Sequence, residues 1–129
     1  MASGILLDSS VIIPHLRGRL DLSALAPQDE VLFISLTVLG ELYKGVFKSD
    51  RPAESRAKLE SFFTSVSVMN PDVATAIQYA QIAADLERRG AVIPENDIWI
   101  AALAMECGMP LATRDAHFQK VAGLRVLQW

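Results

Sequence analysis

The 129-residue chain contains one cysteine, Cys107, and no apolar run near the roughly 18 to 20 residues that a membrane-spanning helix needs. An internal disulfide is therefore excluded and a reducing compartment, the cytoplasm, is expected, with no membrane association. Cys107 itself reads as a small apolar filler on a helix. Basic residues are not in excess: 12 Lys and Arg face 15 Asp and Glu, for a formal charge of −3. The usual basic footprint of a nucleic-acid binder is thus missing. The opening MASGILLDSS has no basic start and its apolar run stops at Asp8, so no secretory leader is expected. No repeat and no low-complexity linker interrupts the chain, and no cluster of Cys and His offers a zinc site.

What is present is a chain 51% hydrophobic with positive mean hydropathy, enough for a sizeable core and the size of one domain, residues 1–129. Short apolar runs alternate with longer helical patterns. Ile5-Leu6-Leu7 reads as a buried strand. A helix capped by Ser9 or Ser10 follows, which Pro14 kinks or limits to a first turn. Val31 to Ile34 is a second strand, and Ser35 caps a helix with apolar Leu36, Leu39, Leu42, Tyr43 and Val46. Asp50 and Pro52 start a helix through Phe63, and Val66 to Met69 alternates as a strand. Pro71-Asp72 opens a long helix with Val73, Ala76, Ile77, Ala80, Ala83 and Ala84 on its apolar face, closed by Gly90 as a left-handed cap. The stretch IPENDIWIAA begins another helix, ended by Gly108 and Pro110. Leu111 to Thr113 and Leu124 to Leu127 complete the strands, with a loop and helical turn between them. Such alternation predicts an α/β fold with a central parallel sheet, whose chemistry belongs at the carboxyl ends of its strands.

Four acids meet that expectation. Asp8 follows the first strand directly, and Asp115 comes two residues after Leu111-Ala112-Thr113. Asp97 is in the first turn of a helix, where free N–H groups tolerate an anion. Glu41 is the one acid within a largely apolar helix. Acids beside apolar sequence are costly unless paired, and four of them from separate elements suggest one shared pocket. Carboxylates packed together repel, and a divalent cation relieves the repulsion. Oxygen ligands suit Mg²⁺ or Mn²⁺. A pocket so filled implies metal-assisted phosphodiester hydrolysis by an activated water. Setting the four acids aside leaves 11 acids against 12 bases (15 − 4 = 11), so the remaining surface carries +1. Arg17, Arg19, Lys44, Lys48 and Arg51 follow the helices near Asp8 and Glu41, and Arg17, Lys44 and Lys48 are candidates to track a phosphate backbone.

The bland readings are a helix-start acid for Asp97, a helix cap for Asp8, a pair with Lys44 for Glu41 and a turn cap for Asp115. Each is adequate alone, and the coincidence of all four favours the pocket. Glu95 reads as a solvated or capping acid, Asn96 as a cap or entrance residue, Thr113 as either a pocket hydrogen bonder or a strand end, and His15 and His117, which nothing pairs with a nucleophile as general bases, as surface or packing residues.

The motifs LLDSSV (6–11), VLGELYKG (38–45), NDIWIAA (96–102) and TRD (113–115) with Phe118 resemble those of the PIN-domain nucleases, of the VapC type found in type II toxin–antitoxin modules. The resemblance runs from the first strand to Val126. It implies an α/β/α sandwich and a Mg²⁺- or Mn²⁺-dependent endoribonuclease. In it Asp8 and Asp97 match the main metal ligands, Glu41 and Asp115 match the other two acids of the pocket, and Ser10 and Thr113 support them. It also implies RNA as substrate, a homodimer, and a cognate antitoxin whose C-terminal segment blocks the pocket in a higher hetero-oligomer. The first motif departs at Ser10, where Asn is usual; Ser still donates and accepts a hydrogen bond but is shorter. Two rival readings are an inactive PIN-like binding module and a receiver-type phosphoacceptor domain, the latter weakened by Thr113-Arg114-Asp115 where a Lys would be needed.

Overall fold

The computed structural model describes residues 4–129, so Met1–Ser3 of the opening stretch lie outside the described residues. In chain order the elements are β1 (Gly4–Leu7), α1 (Ser9–Leu16), α2 (Leu22–Leu25), β2 (Val31–Ser35), α3 (Leu36–Phe47), α4 (Pro52–Phe62), β3 (Ser67–Met69), α5 (Val73–Arg88), α6 (Glu95–Glu106), β4 (Leu111–Thr113) and β5 (Val126–Gln128). Single 3₁₀ segments follow α4 and β4, at Phe63–Ser65 and Ala116–Lys120. The strands form one all-parallel, five-stranded sheet in the order β3-β2-β1-β4-β5. This order differs from the 2-1-3-4-5 of receiver-type domains, which corrects that rival reading.

β1 is central and buried along its whole length, as a strand covered on both faces must be. Its Gly4 is required by a close approach, because a Cβ there would stand 2.5 Å from Cε2 of Phe33. From β1 the chain steps one way to β2 and β3, then crosses to β4 and β5 on the other side. Right-handed crossovers therefore put α1 to α4 on one face of the sheet and α5 and α6 on the other. The switch of direction lies between β1 and β4, paired at Leu6↔Leu111 and Leu7↔Ala112. A crevice opens outside the carboxyl ends of strands at such a point.

α6 is apolar around most of its circumference and is buried accordingly, with Ile98, Ile100, Ala101, Ala102, Leu103 and Ala104 all inside. α5 covers it. The face of α5 that does so carries Thr75, Ile82 and Leu86, not the Val73–Ile77–Ala80 face expected from periodicity. Val73 and Ile77 are 78% and 58% exposed. The periodicity is ambiguous because α5 is apolar on more than one side, and Thr75 reads as polar although its hydroxyl is satisfied locally. Asp72 Oδ1 accepts from Thr75 N at 3.1 Å, and Thr75 Oγ1 accepts from Asp72 N at 3.0 Å, a reciprocal capping box.

The other differences from expectation are small. Asp8, rather than Ser9 or Ser10, occupies the cap position of α1. Pro14 stays inside α1, which ends two residues later at Leu16. The short α2, capped by Asp21, has too few apolar residues to declare itself in sequence. Gly90 closes α5 with φ of +66°, as a left-handed cap requires. Cys107 is partly buried and accordingly inert: burial, then a hydrogen bond to Glu106, pushes its thiol up to about 12. Among the described residues no helix is long and apolar enough to cross a membrane.

The capping box gives a stability prediction. Asp72→Ala should cost about 1 to 2 kcal/mol and lower Tm by roughly 3–8 °C in thermal denaturation. A Tm unchanged from the parent would show that the box does not secure α5.

Candidate active site

Asp8 leaves the end of β1 with its N–H bonded to Ala112 O at 3.0 Å, so the backbone ladder itself aims it into the crevice. Although it caps α1 by position, its carboxylate makes no cap hydrogen bond. Instead its Oδ2 accepts from Ser10 Oγ at 2.7 Å and from Thr113 Oγ1 at 2.8 Å. The residue is 3% exposed. Both hydroxyls are themselves held: Ser10 Oγ accepts from Arg114 N at 2.9 Å, and Thr113 Oγ1 from Asp115 N at 2.9 Å. Ser10, short as it is, therefore orients the first acid from two residues away while tying it to the residue that follows β4. Thr113 is fully buried and belongs to the pocket; it does not merely end a strand.

Asp97 stands in the first turn of α6, 7% exposed, on a helix immobilised by the core. Glu41 reaches in from α3. Its Oε2 accepts from Asn96 Nδ2 at 3.1 Å, while its Oε1 is buried and has no hydrogen-bond partner among the described residues. Asp115 caps the 3₁₀ segment after β4, its Oδ1 accepting from His117 N at 2.9 Å. His117 Nδ1 lies 3.2 Å from Asp97 Oδ2 and 3.1 Å from Asp115 Oδ1. One ligand atom from each of Asp97, Asp115 and His117 can be chosen so that all lie within 4.8 Å of one another.

The electrostatics reflect this crowding. Burial, then the charges of Asp8 and Asp97, push Glu41 up from 4.5 to about 7, against the opposing pull of Asn96 and Lys44. Asp97 is likewise raised, first by burial and then by Asp115 and Asp8, with His117 working the other way. Glu41 thus senses Asp8 and Asp97, and Asp97 senses Asp115 and Asp8, so Asp97 links the acids of the pocket. A buried carboxylate oxygen without a donor, amid like charges, is costly to bury and suited to a hard cation. The donor set therefore fits a hard divalent cation.

Two residues of this pocket are corrections to the reading from sequence. Asn96 is not a cap, since the cap position of α6 is Pro94; it positions Glu41. His117 is half-exposed, yet it does more than sit at the surface: it bridges two of the acids. A signal for it existed: a capping Asp accepts from the N–H two residues on, which brings that residue's side chain near the carboxylate. His15 does have a packing role, its Nδ1 near Leu20 O and Leu22 N and its ring 5.5 Å from that of Phe62. Glu95 is no cap either and accepts from the Tyr79 hydroxyl.

Of the bases, Arg17 and Lys48 line a cleft of about 570 Å³ that has Glu41 in its wall and apolar Ile13, Leu16 and Leu42 beside it. Lys44 is exposed on α3, and its charge is felt at Glu41. Arg51 instead faces Glu54 at 3.5 Å.

The raised carboxyls predict a pH dependence. Glu41 keeps its proton to higher pH in the folded chain than in the unfolded one, so folding takes up protons between about pH 4.5 and 7. Metal-free stability should fall as pH rises through that window, with the cost absent below it and complete above it. Melting curves in a chelator should show this fall, and Glu41→Gln should flatten it and raise Tm at about pH 8. Equal slopes for the two proteins would be contrary evidence.

Comparison with known proteins gives the family of the chain. The PIN domain family model matches residues 5–124. Ribonuclease VapC2 of Haemophilus influenzae is 30% identical over 127 residues, covering 96% of each chain. The tRNA(fMet)-specific endonuclease VapC of Shigella flexneri is 35% identical over 97 residues, 74% of each chain. Among solved structures, VapBC-5 of Mycobacterium tuberculosis, a member of the VapBC family of toxin–antitoxin systems, superposes with a TM-score of 0.79 at 29% identity over the full length of both chains. With its acids gathered where the fold places its crevice, the chain belongs to the PIN-domain family, among the nucleases of the VapC type.

Proposed function

We propose that the protein is a divalent-metal-dependent endoribonuclease, the toxin of a toxin–antitoxin pair, which hydrolyses RNA phosphodiester bonds. The observation that carries this reading is the unpartnered, buried Glu41 Oε1 beside the like charges of Asp8 and Asp97. Asp8 and Asp97 are the principal ligands of the cation, Mg²⁺ or Mn²⁺, with Glu41 and Asp115 completing its surroundings. The bound cation would neutralise the carboxylates, polarise the scissile phosphate and acidify the attacking water.

The chain's own contribution is positioning. The Ser10 and Thr113 hydroxyls fix the rotation of Asp8, and Asn96 fixes that of Glu41. The buried α6 denies Asp97 the freedom to swing. Arg17 and Lys48 in the cleft, and Lys44 on its flank, supply the positive charge that a phosphate backbone needs on a protein of net charge −3. The naming of relatives as ribonuclease and tRNA endonuclease supports RNA as substrate.

The toxin–antitoxin character of VapBC-5 supports a cognate antitoxin as partner. The cleft between α1, α3 and α4 is apolar along its wall, with Arg17, Lys48 and Lys58 around it and Glu41 as its acid, and suits an apolar partner segment that reaches Glu41 with one basic side chain. The apolar stripe that α5 leaves in solvent, Val73 and Ile77 with Ala76 and Ala80, suits packing against a second copy in a homodimer. The whole chain acts as one domain, in the cytoplasm, and assembles with antitoxin into a larger hetero-oligomer.

Cleavage of a structured RNA pool, tRNA included, should require Mg²⁺ or Mn²⁺ and vanish in Asp8→Asn and Asp97→Asn. Thr113→Val should lower it by about 10- to 100-fold, the usual loss when a ligand's supporting hydrogen bond is removed. A wild-type protein that binds its partner but cuts no RNA would be the inactive module instead. Light scattering should give a dimer mass that Ile77→Glu reduces to a monomer; a wild-type monomer at all concentrations would refute the homodimer.

A further inference from the structure

We propose that His117 joins the metal's coordination sphere through Nδ1 and biases the pocket toward Mn²⁺ over Mg²⁺. The inference rests on the metal-dependent reading of the same pocket. It begins with placement. Asp97 comes from α6 and Asp115 from the segment after β4, and the imidazole of His117 spans the gap between them, 3.2 Å from one carboxylate and 3.1 Å from the other. Its side chain is 45% exposed, yet the backbone beneath it is clamped. Asp115 Oδ1 accepts from its N–H at 2.9 Å, and the next residue, Phe118, is fully buried. The ring is thus presented to the pocket by structure on both sides of it.

The spacing suits a shared cation. Ligand atoms about 2.1 Å from an octahedral ion lie about 3 Å apart when adjacent. The two separations of His117 Nδ1 are close to that value, so a cation could be held between the imidazole and the carboxylates. The nitrogen matters chemically. Mg²⁺ favours oxygen ligands and gives up water reluctantly, whereas imidazole suits first-row transition ions, and Mn²⁺ accepts both donor types. Four carboxylates alone would discriminate little between the two ions. An added imidazole raises affinity for Mn²⁺ selectively. The competing possibility is that His117 only bridges the acids in the metal-free protein and swings away when the ion enters.

Pulsed electron paramagnetic resonance of Mn²⁺ bound to the full chain distinguishes the two. Wild type should show coupling to a nitrogen, and His117→Ala and His117→Gln should lose it while keeping a cooperative melt and bound Mn²⁺. The other histidine, His15, is engaged at Leu20 and Leu22 between α1 and α2, which makes the nitrogen assignable. The same variants should bind Mn²⁺ about tenfold more weakly and Mg²⁺ nearly unchanged, as read by competition. Bound Mn²⁺ without nitrogen coupling in wild type, or coupling that persists in both variants, overturns the role of His117 and leaves the acidic pocket standing. No Mn²⁺ bound by wild type, or equal binding by Asp97→Asn, overturns the pocket itself and His117's role with it.

Discussion

Like charges held close together in a poorly hydrated place are the constraint around which this protein is organised. Asp8 and Asp97 push on Glu41, and Asp8 and Asp115 push on Asp97, all at one edge of the sheet. Left alone, such a cluster would protonate or spread apart. The fold offsets the repulsion in pieces: hydroxyls of Ser10 and Thr113 on Asp8, the amide of Asn96 on Glu41, and the imidazole of His117 across Asp97 and Asp115. Glu41 Oε1 receives no such donor among the described residues. The remaining imbalance is what makes the pocket suited to a cation.

A cluster of this kind needs a rigid frame. β1 is buried along its length at the middle of the sheet, and α6 is buried on nearly every side between sheet and α5. Asp8 and Asp97, carried by these two elements, are the deeply buried acids. Glu41 and Asp115 are half-buried and lie nearer solvent. The pocket therefore has a fixed floor and an open rim.

Much of this was legible in the sequence, for a physical reason. A parallel sheet makes strand ends functional, so Asp8 after Ile5-Leu6-Leu7 and Asp115 after Leu111-Ala112-Thr113 could be found from runs of apolar residues alone. Asp97 stood out because α6 is apolar almost everywhere else. What escaped were residues whose role is relational. Asn96 looked like a cap because Asn commonly is one, yet its partner is Glu41, 55 positions away. His117 looked like surface, and it is nearly half exposed; its partners come from two elements. The buried side of α5 escaped because hydrophobic periodicity treats Thr75 as polar, and the capping box with Asp72 makes it acceptable in the core.

The sequence by itself determined the alternation of strands and helices, the positions of the acids relative to those elements, and hence the class of chemistry. These are local matters: period, caps and the residue after each strand. Tertiary structure alone decided which strand is central, that Ser10 can hold Asp8 by sharing the task with Thr113, and which neighbours Glu41, Asp97 and Asp115 receive. Such contacts depend on the distance between elements and on what water has been excluded from between them, and neither quantity is written in the order of residues along a chain.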